Sequence, residues 1–132
     1  MPSAQENAAT IHRGYELFNS GNIEELQQLF AEDAVWHVGG RNQLSGEKLG
    51  RDAVFAYFGQ LGELSNGTFR AELHDVIASE EHVVGLHTNT GERQGRRLNE
   101  HEALVFHLRD GKVVEAWEHY EDSRRMDEFL SS

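Results

Sequence analysis

The chain contains no cysteine, no long apolar run and few basic residues. Without cysteine it can form no disulfide and offers no thiol chemistry, which fits a reducing compartment. No stretch is apolar for long enough to span a membrane, and the N-terminal sequence MPSAQENAAT lacks a signal-peptide core. We therefore expect a cytoplasmic protein that is not embedded in a membrane.

Acidic residues outnumber basic residues by 23 to 12, and the formal net charge is −11. This charge disfavours nucleic acid as a partner, because the phosphate backbone attracts cationic proteins. It also disfavours anionic membrane surfaces. The length of 132 residues predicts one domain over residues 1–132.

Apolar residues at helical spacing predict helices over residues 3–19 and 51–64, with a shorter helix after Asn22. Alternating patterns predict a short strand over 34–38 and longer strands over 68–78, 82–90, 96–109 and 112–121, followed by a helical turn over 123–130. The polar, glycine-containing residues 41–50 predict a loop. Helices gathered against a mostly antiparallel sheet predict an α+β domain.

The most informative stretch is a predicted β-hairpin over residues 99–122, NEHEALVFHLRDGKVVEAWEHYED. A three-residue loop at residues 109–111 would place Leu104 opposite Ala116 and Glu102 opposite Glu118, on a face that we take as the interior. A two-residue turn would instead reverse the facing of one strand. Like charges directly opposite destabilise a sheet, so the glutamate pair implies a protonated carboxyl, a nearby cation or a pair splayed into water.

The other face of the predicted hairpin carries Val105, Val113 and Trp117 among histidines. An apolar patch on a sheet is usually covered, and two-fold pairing is the commonest means. We therefore expect a homodimer that pairs through this sheet face.

Five segments, in their order and spacing, resemble the nuclear-transport-factor-2-like superfamily and, within it, the SnoaL-like group: LFAEDAVWH, GRDAVFAYF, SNGTFRAELHDVIA, RDGKVVEAWEHYED and MDEFL. The resemblance covers nearly all of the chain. It implies a curved, mostly antiparallel sheet wrapped by three helices around a cone-shaped pocket, a cystatin-like α+β barrel. Members include ketosteroid isomerases, polyketide cyclases, epoxide hydrolases, dehydratases and non-catalytic binders, so the fold does not select the reaction.

The resemblance also implies an acid–base residue. In cyclase-like members an aspartate near the end of the last strand acts in the pocket, and the matching position here is Asp122. The ketosteroid isomerase pattern matches poorly, because its base, its oxyanion tyrosine and its protonated acid fall at Val38, Gly14 and Leu104. Tyr15 lies one residue from the second of these positions. Ketosteroid isomerase chemistry itself is therefore not expected.

The candidate residues fall into two groups. The acid–base candidates are Asp122, Glu118, Glu102 and His37, and the candidate wall of the pocket is Trp36, Phe55, Phe58, Leu104, Phe106 and Tyr120. Asp122 also suits the N-cap of a terminal helix, and the two glutamates also suit a solvated strand end. Alternation lets only one of Trp36 and His37 face inward, unless Gly39-Gly40 distort the strand.

The histidines show no metal-binding spacing and the glycines show no phosphate-binding spacing, so we expect neither a metal nor a cofactor. The pocket that the resemblance implies would take a small, largely apolar or aromatic molecule. Its function would be that of a cofactor-free acid–base enzyme of the cyclase, isomerase, dehydratase or hydrolase type. The alternative is a non-catalytic domain of the same fold that binds a ligand or a protein. A buried carboxyl with a shifted pKa beside apolar side chains would favour the enzyme.

Overall fold

The structure, a computed structural model, describes residues 2–131. Helix α1 (Ala4–Ser20) begins with a capping box, in which the side chains of Ser3 and Glu6 each accept the other residue's backbone N–H. It ends at Gly21, whose φ of 74° suits the left-handed cap that glycine provides. The other helices are α2 (Ile23–Gln27), α3 (Arg51–Leu64) and α4 (Ser123–Phe129).

Six strands form one sheet: β1 (Phe30–Val38), β2 (Gly46–Leu49), β3 (Arg70–Ala78), β4 (His82–Arg93), β5 (Arg96–Arg109) and β6 (Lys112–Tyr120). Their order is β2-β1-β6-β5-β4-β3, and every neighbouring pair is antiparallel except β1 with β6. Helices α1 and α3 pack against the inner face of this sheet, and α4 packs against β5. The expected α+β architecture with a mostly antiparallel sheet is confirmed.

Two elements differ from the sequence expectation. Strand β1 begins at Phe30, four residues earlier than predicted, and its pairing with β6 shifts between Phe30 and Val35, which hides the alternation. Strand β2 forms inside the segment predicted to be a loop, where Leu49 pairs with Val35. Because β2 is a short, mostly exposed edge strand, its residues carry no apolar alternation that would have revealed it.

The hairpin of β5 and β6 has a different turn from the predicted one. Asp110 and Gly111 both have positive φ, 52° and 77°, as in a two-residue type I′ turn. That turn reverses the facing of β6, and a bulge at Val114 reverses it back, because Leu108 pairs with Val113 and the next pair is His107 with Glu115. From residue 116 onward the predicted inner face is therefore correct.

The predicted pairing of the two glutamates is wrong. Glu102 lies opposite Tyr120, and Leu104 lies opposite Glu118, so the two carboxyl side chains are diagonal neighbours on the inner face. Val113, expected on the outer face, is only 2% exposed and belongs to the core. The pairing of β3 with β4 shifts register between Leu73 and Asp75.

The outer face of the sheet has no helix of the described chain packed over its centre. Ile77 pairs with Val84, Val84 with Val105, and Val105 with Trp117, so apolar side chains form a row across four strands. Ile77 at one end of the row is 57% exposed. Between residues 2 and 131, no helix combines the length and the apolar character that crossing a bilayer requires.

Candidate active site

An apolar cavity of about 80 Å³ lies between the inner face of the sheet and the helices α1 and α3. Aromatic rings form much of its wall and meet edge to face. The ring of Trp36 packs against Phe58 at 5.0 Å between centroids and against Phe106 at 5.9 Å. Glu102 and Glu118 enter this wall from adjacent strands of the hairpin.

The structure places most of the sequence candidates in the cavity wall. Those that line it are Trp36, Phe58, Leu104, Phe106, Tyr120, Glu102 and Glu118. Phe55, expected to line it too, instead packs behind the wall against Phe30 and Phe58, at 5.2 and 5.1 Å between ring centroids. Side chains alternate along β1, and Trp36 faces the cavity while His37 faces the other side of the sheet. Of the two residues, only the tryptophan therefore lines the cavity.

His37 lies on the outer face of the sheet, outside the cavity where a catalytic role had been expected. Its imidazole stacks on Trp117, with 7° between the ring planes. Its Nδ1 lies 3.1 Å from a carboxylate oxygen of Glu47, and its Nε2 lies 2.6 Å from one of Glu115. The side chain is thus held in a surface cluster and cannot reach a ligand in the cavity.

Asp122 also lies outside the cavity, contrary to the position expected from the resemblance. It is the N-cap of α4, where its carboxylate accepts the backbone N–H of Arg124 and pairs with the guanidinium of the same residue. The hydrogen bonds and charge of Arg124 lower the pKa of Asp122. Its backbone N–H donates to the fully buried Glu100, which ties the start of α4 to β5.

Glu118 is a cavity carboxyl with a strongly raised pKa. The indole of Trp36 and the hydroxyl of Tyr57 donate to its Oε2 at 2.7 and 2.8 Å, and the hydroxyl of Tyr120 donates to its Oε1. Burial, and then the charge of Glu102, raise the pKa of Glu118 to about 8, although the three donors act in the opposite direction. At neutral pH the carboxyl of Glu118 is therefore mostly protonated, and its pKa is close enough to neutral pH for the proton to be given up readily.

Glu102 is held by a different set of partners. It is 6% exposed, and its Oε1 accepts the side-chain N–H of Asn89 at 2.8 Å. The same oxygen lies 3.4 Å from Nε2 of His87. Its other oxygen, Oε2, is buried without a hydrogen-bond partner in the described chain. One carboxylate oxygen is thus anchored while the other is unsatisfied.

Comparison with known proteins identifies the family and the fold. A family model described as a SnoaL-like domain matches residues 11–116. The chain belongs to the SnoaL-like family. The match includes Tyr15, His87 and Glu102 but ends before Glu118, so the family assignment does not depend on Glu118.

Solved structures resemble this SnoaL-like chain over nearly its whole length. Bal32a, from a soil-derived mobile gene cassette, is 43% identical, with a TM-score of 0.95 over 97% of this chain and 98% of that one. A Xanthomonas campestris protein with a cystatin-like fold is 26% identical, with a TM-score of 0.90 over 96% and 98% of the two chains. IdmH from Streptomyces antibioticus, described as a candidate polyketide cyclase, is 23% identical, with a TM-score of 0.73 over 87% and 91%, and shows the fold alone.

The cavity of this SnoaL-like chain also contains polar residues that were not among the site candidates from the sequence: Tyr15, Tyr57, His87 and Asn89. The hydroxyl of Tyr15 lies 2.6 Å from Nδ1 of His87, and Nε2 of His87 lies 2.9 Å from Oδ1 of Asn89. Burial raises the pKa of Tyr15 and that of Tyr57 above the ordinary value. His87 and Asn89 were discoverable in principle, because they share the inward facing of alternate residues on β4.

Within residues 2–131, no group of three or more histidine, aspartate or glutamate side chains is arranged to hold a metal ion. The cavity wall instead combines two carboxyls, three phenols, one imidazole and one indole with apolar surface. This arrangement can hold a proton at one carboxyl and accept a proton at the other, which is what general acid–base catalysis requires.

Proposed function

We propose that the protein is a cofactor-free acid–base enzyme acting on a small, largely apolar molecule held in this cavity. The observation that carries the proposal is the pair of glutamates, Glu118 and Glu102, in an otherwise apolar wall. Burial and the neighbouring charge of Glu102 disfavour the ionised form of Glu118 and raise its pKa, and carboxyls perturbed in this way are typical of catalytic sites. A domain that only binds an apolar ligand gains nothing from burying them.

The two carboxyls suit different roles. Glu118, with a pKa raised to about 8, holds a proton at neutral pH and is the proton donor. Glu102 has one oxygen anchored by Asn89 and one without a partner, and that unsatisfied oxygen is the proton acceptor. Cyclisation, isomerisation, dehydration and hydrolysis all need a proton given at one atom and taken at another.

The wall sets the size and character of the substrate. An engineered cavity of about 150 Å³ holds benzene, whereas this cavity measures about 80 Å³. A small aliphatic molecule fits without rearrangement, and a polycyclic one requires wall side chains to move. The fold shared with IdmH is compatible with a cyclase, but at 23% identity it does not select that reaction.

The proposal is tested by the titration of Glu118 in the ligand-free protein. The carboxyl carbon of Glu118, identified by its disappearance in Glu118→Gln, should titrate near pH 8 in carbon-13 NMR spectra. Titration near the ordinary value of 4.5 would show a solvated carboxylate and remove the acid from the cavity. The domain would then be a non-catalytic ligand-binding or protein-interaction module.

A further inference from the structure

Each donor group around Glu102 already has an acceptor. A carboxylate can only accept, so Asn89 turns its amide N–H groups toward Glu102 and its oxygen toward His87. That oxygen also only accepts, so Nε2 of His87 carries the hydrogen. In a neutral imidazole Nδ1 then has a lone pair, so it accepts a hydrogen bond from the hydroxyl of Tyr15, with 2.6 Å between the oxygen and the nitrogen.

The donors around Glu118 are engaged in the same way. The indole of Trp36 and the hydroxyls of Tyr57 and Tyr120 all point at its carboxylate oxygens. A proton on Glu118 adds one donor on that side of the cavity. It does nothing for Glu102, whose neighbours remain unchanged.

At the Glu102 end of the cavity, the polar atoms left without a partner are therefore acceptors. They are the Oε2 of Glu102, which is buried and unsatisfied, and lone pairs on the phenol oxygens. Lysine and arginine do not occur among the residues that line the cavity in the described chain. An anion would meet two carboxyls and no cation, and a molecule that only accepts would leave Glu102 unsatisfied.

We propose that the cavity selects small molecules that carry an O–H or N–H donor on an apolar body, and that Oε2 of Glu102 receives this donor. Pure acceptors such as ketones bind more weakly because they leave Oε2 of Glu102 unsatisfied, and anions bind most weakly. This names the substrate class of the proposed active site and so rests on the same cavity. Sites with a buried polar group discriminate strongly against analogues that leave that group unpaired, whereas an apolar wall alone distinguishes isosteres poorly.

The test uses four probes of similar shape, small enough for a cavity of about 80 Å³. Cyclobutanol and cyclobutylammonium carry a donor, neutral in one and charged in the other. Cyclobutanone only accepts, and cyclopropanecarboxylate is an anion. Cyclobutanol and cyclobutylammonium share a hydrogen-bond donor and differ in charge. Comparing their dissociation constants therefore shows whether the cavity prefers a hydroxyl or an ammonium group.

The chain contains two tryptophans, which provide a built-in readout and control. The indole N–H of Trp36 donates to Glu118 in the cavity, whereas Trp117 lies on the outer face beside His37. Each probe is titrated into nitrogen-15-labelled wild-type protein at pH 7, and both indole signals are followed. Binding in the cavity should shift the Trp36 signal with a dissociation constant of about 1–10 mM and leave Trp117 in place.

The expected ranking places at least one donor probe about tenfold or more tighter than cyclobutanone, with the carboxylate weakest. Glu102→Gln should reverse the order of alcohol and ketone. Its amide oxygen can keep the bond from Asn89, so its NH₂ replaces the unsatisfied acceptor by a donor. Glu92→Gln, at an exposed carboxylate, is the matched control and should keep the wild-type ranking.

Equal affinity for alcohol and ketone in the wild type would overturn the proposal, and so would tight binding of the carboxylate. The absence of any Trp36 shift with all four probes up to about 100 mM would overturn it as well. The wild-type ranking stands even if Glu102→Gln fails to fold. The ranking and its reversal in Glu102→Gln test the acceptor at Glu102, whereas the carbon-13 titration tests the proton on Glu118, so the donor preference and the acid–base role can fail separately.

Discussion

The buried carboxyl of Glu118 should make the protein less stable as the pH rises from about 5 to above 8. Burial and Glu102 raise its pKa from 4.5 to about 8 in the folded protein, whereas the unfolded chain has the ordinary value. Between these values the folded state binds more protons than the unfolded state, so the free energy of unfolding falls with rising pH. At about 1.4 kcal/mol for each pKa unit, the loss is at most about 5 kcal/mol.

Glu118→Gln isolates this contribution. The amide oxygen of glutamine can still accept from Trp36 and Tyr57, and its NH₂ can donate to the hydroxyl oxygen of Tyr120. At pH 5 the wild-type carboxyl is protonated, so the two proteins should differ little in stability. At pH 8.5 the variant should be the more stable protein, by roughly 2–5 kcal/mol, because it buries no charge.

The assay is urea denaturation of wild type and variant at pH 5, 7 and 8.5, analysed with one m-value for each protein. Other groups that titrate in this range affect both proteins equally and cancel in the difference. Glu92→Gln, at an exposed site, should follow the wild type at every pH. A constant difference between wild type and Glu118→Gln across the three pH values would refute the raised pKa and the electrostatic argument built on it.

Three further predictions follow from the structure. Gly85→Ala should destabilise the protein by about 1–3 kcal/mol, because its Cβ would lie 2.4 Å from the Tyr15 hydroxyl oxygen. The control is Gly59→Ala, whose Cβ meets no atom within 4 Å. Equal urea midpoints for the two variants would contradict this prediction. Asp122→Asn should slightly lower the free energy of unfolding at neutral pH, where the wild-type carboxylate with its lowered pKa is ionised. The stabilities of variant and wild type should converge as the pH falls through that pKa. The binding of cyclobutanol, followed by NMR, should stay unchanged. We also propose that the outer sheet face forms a homodimer, so sedimentation at micromolar concentration should give twice the chain mass, and Trp117→Lys should give the monomer; a monomeric wild type would exclude it.

The positions of the long helices were predictable because each has a strong local signal. The periodicity of α1 and α3 follows from buried residues three and four apart, such as Val54, Phe58 and Leu61. The hairpin facing came out correctly for a different reason. The sequence predicted a three-residue loop, and the structure has a two-residue turn plus a bulge at Val114, which together give the same facing. A bulge has no local sequence signature, so the exact pairing of Glu102 could not be predicted.

The candidate site was predictable only in part. Alternation along the hairpin brought Glu102 and Glu118 to the inner face, and hydrophobicity singled out the aromatic wall. Asp122 was chosen by resemblance to the end of the last strand, but the chain there turns into α4 and uses the aspartate as a cap. The bond between Tyr15 and His87 joins residues 72 positions apart, and no local pattern predicts such a pairing.

One signal for that bond was nevertheless present in the sequence. Gly85 lies in the middle of β4, where glycine weakens a strand and often marks the close approach of another group. In the structure that group is the phenol of Tyr15, which occupies the space where a side chain at position 85 would be. Gly85 and His87 face the same side of β4, so the glycine makes room for the ring whose hydroxyl His87 binds. A strand glycine two residues before an inward histidine can therefore indicate where an aromatic residue enters a cavity wall.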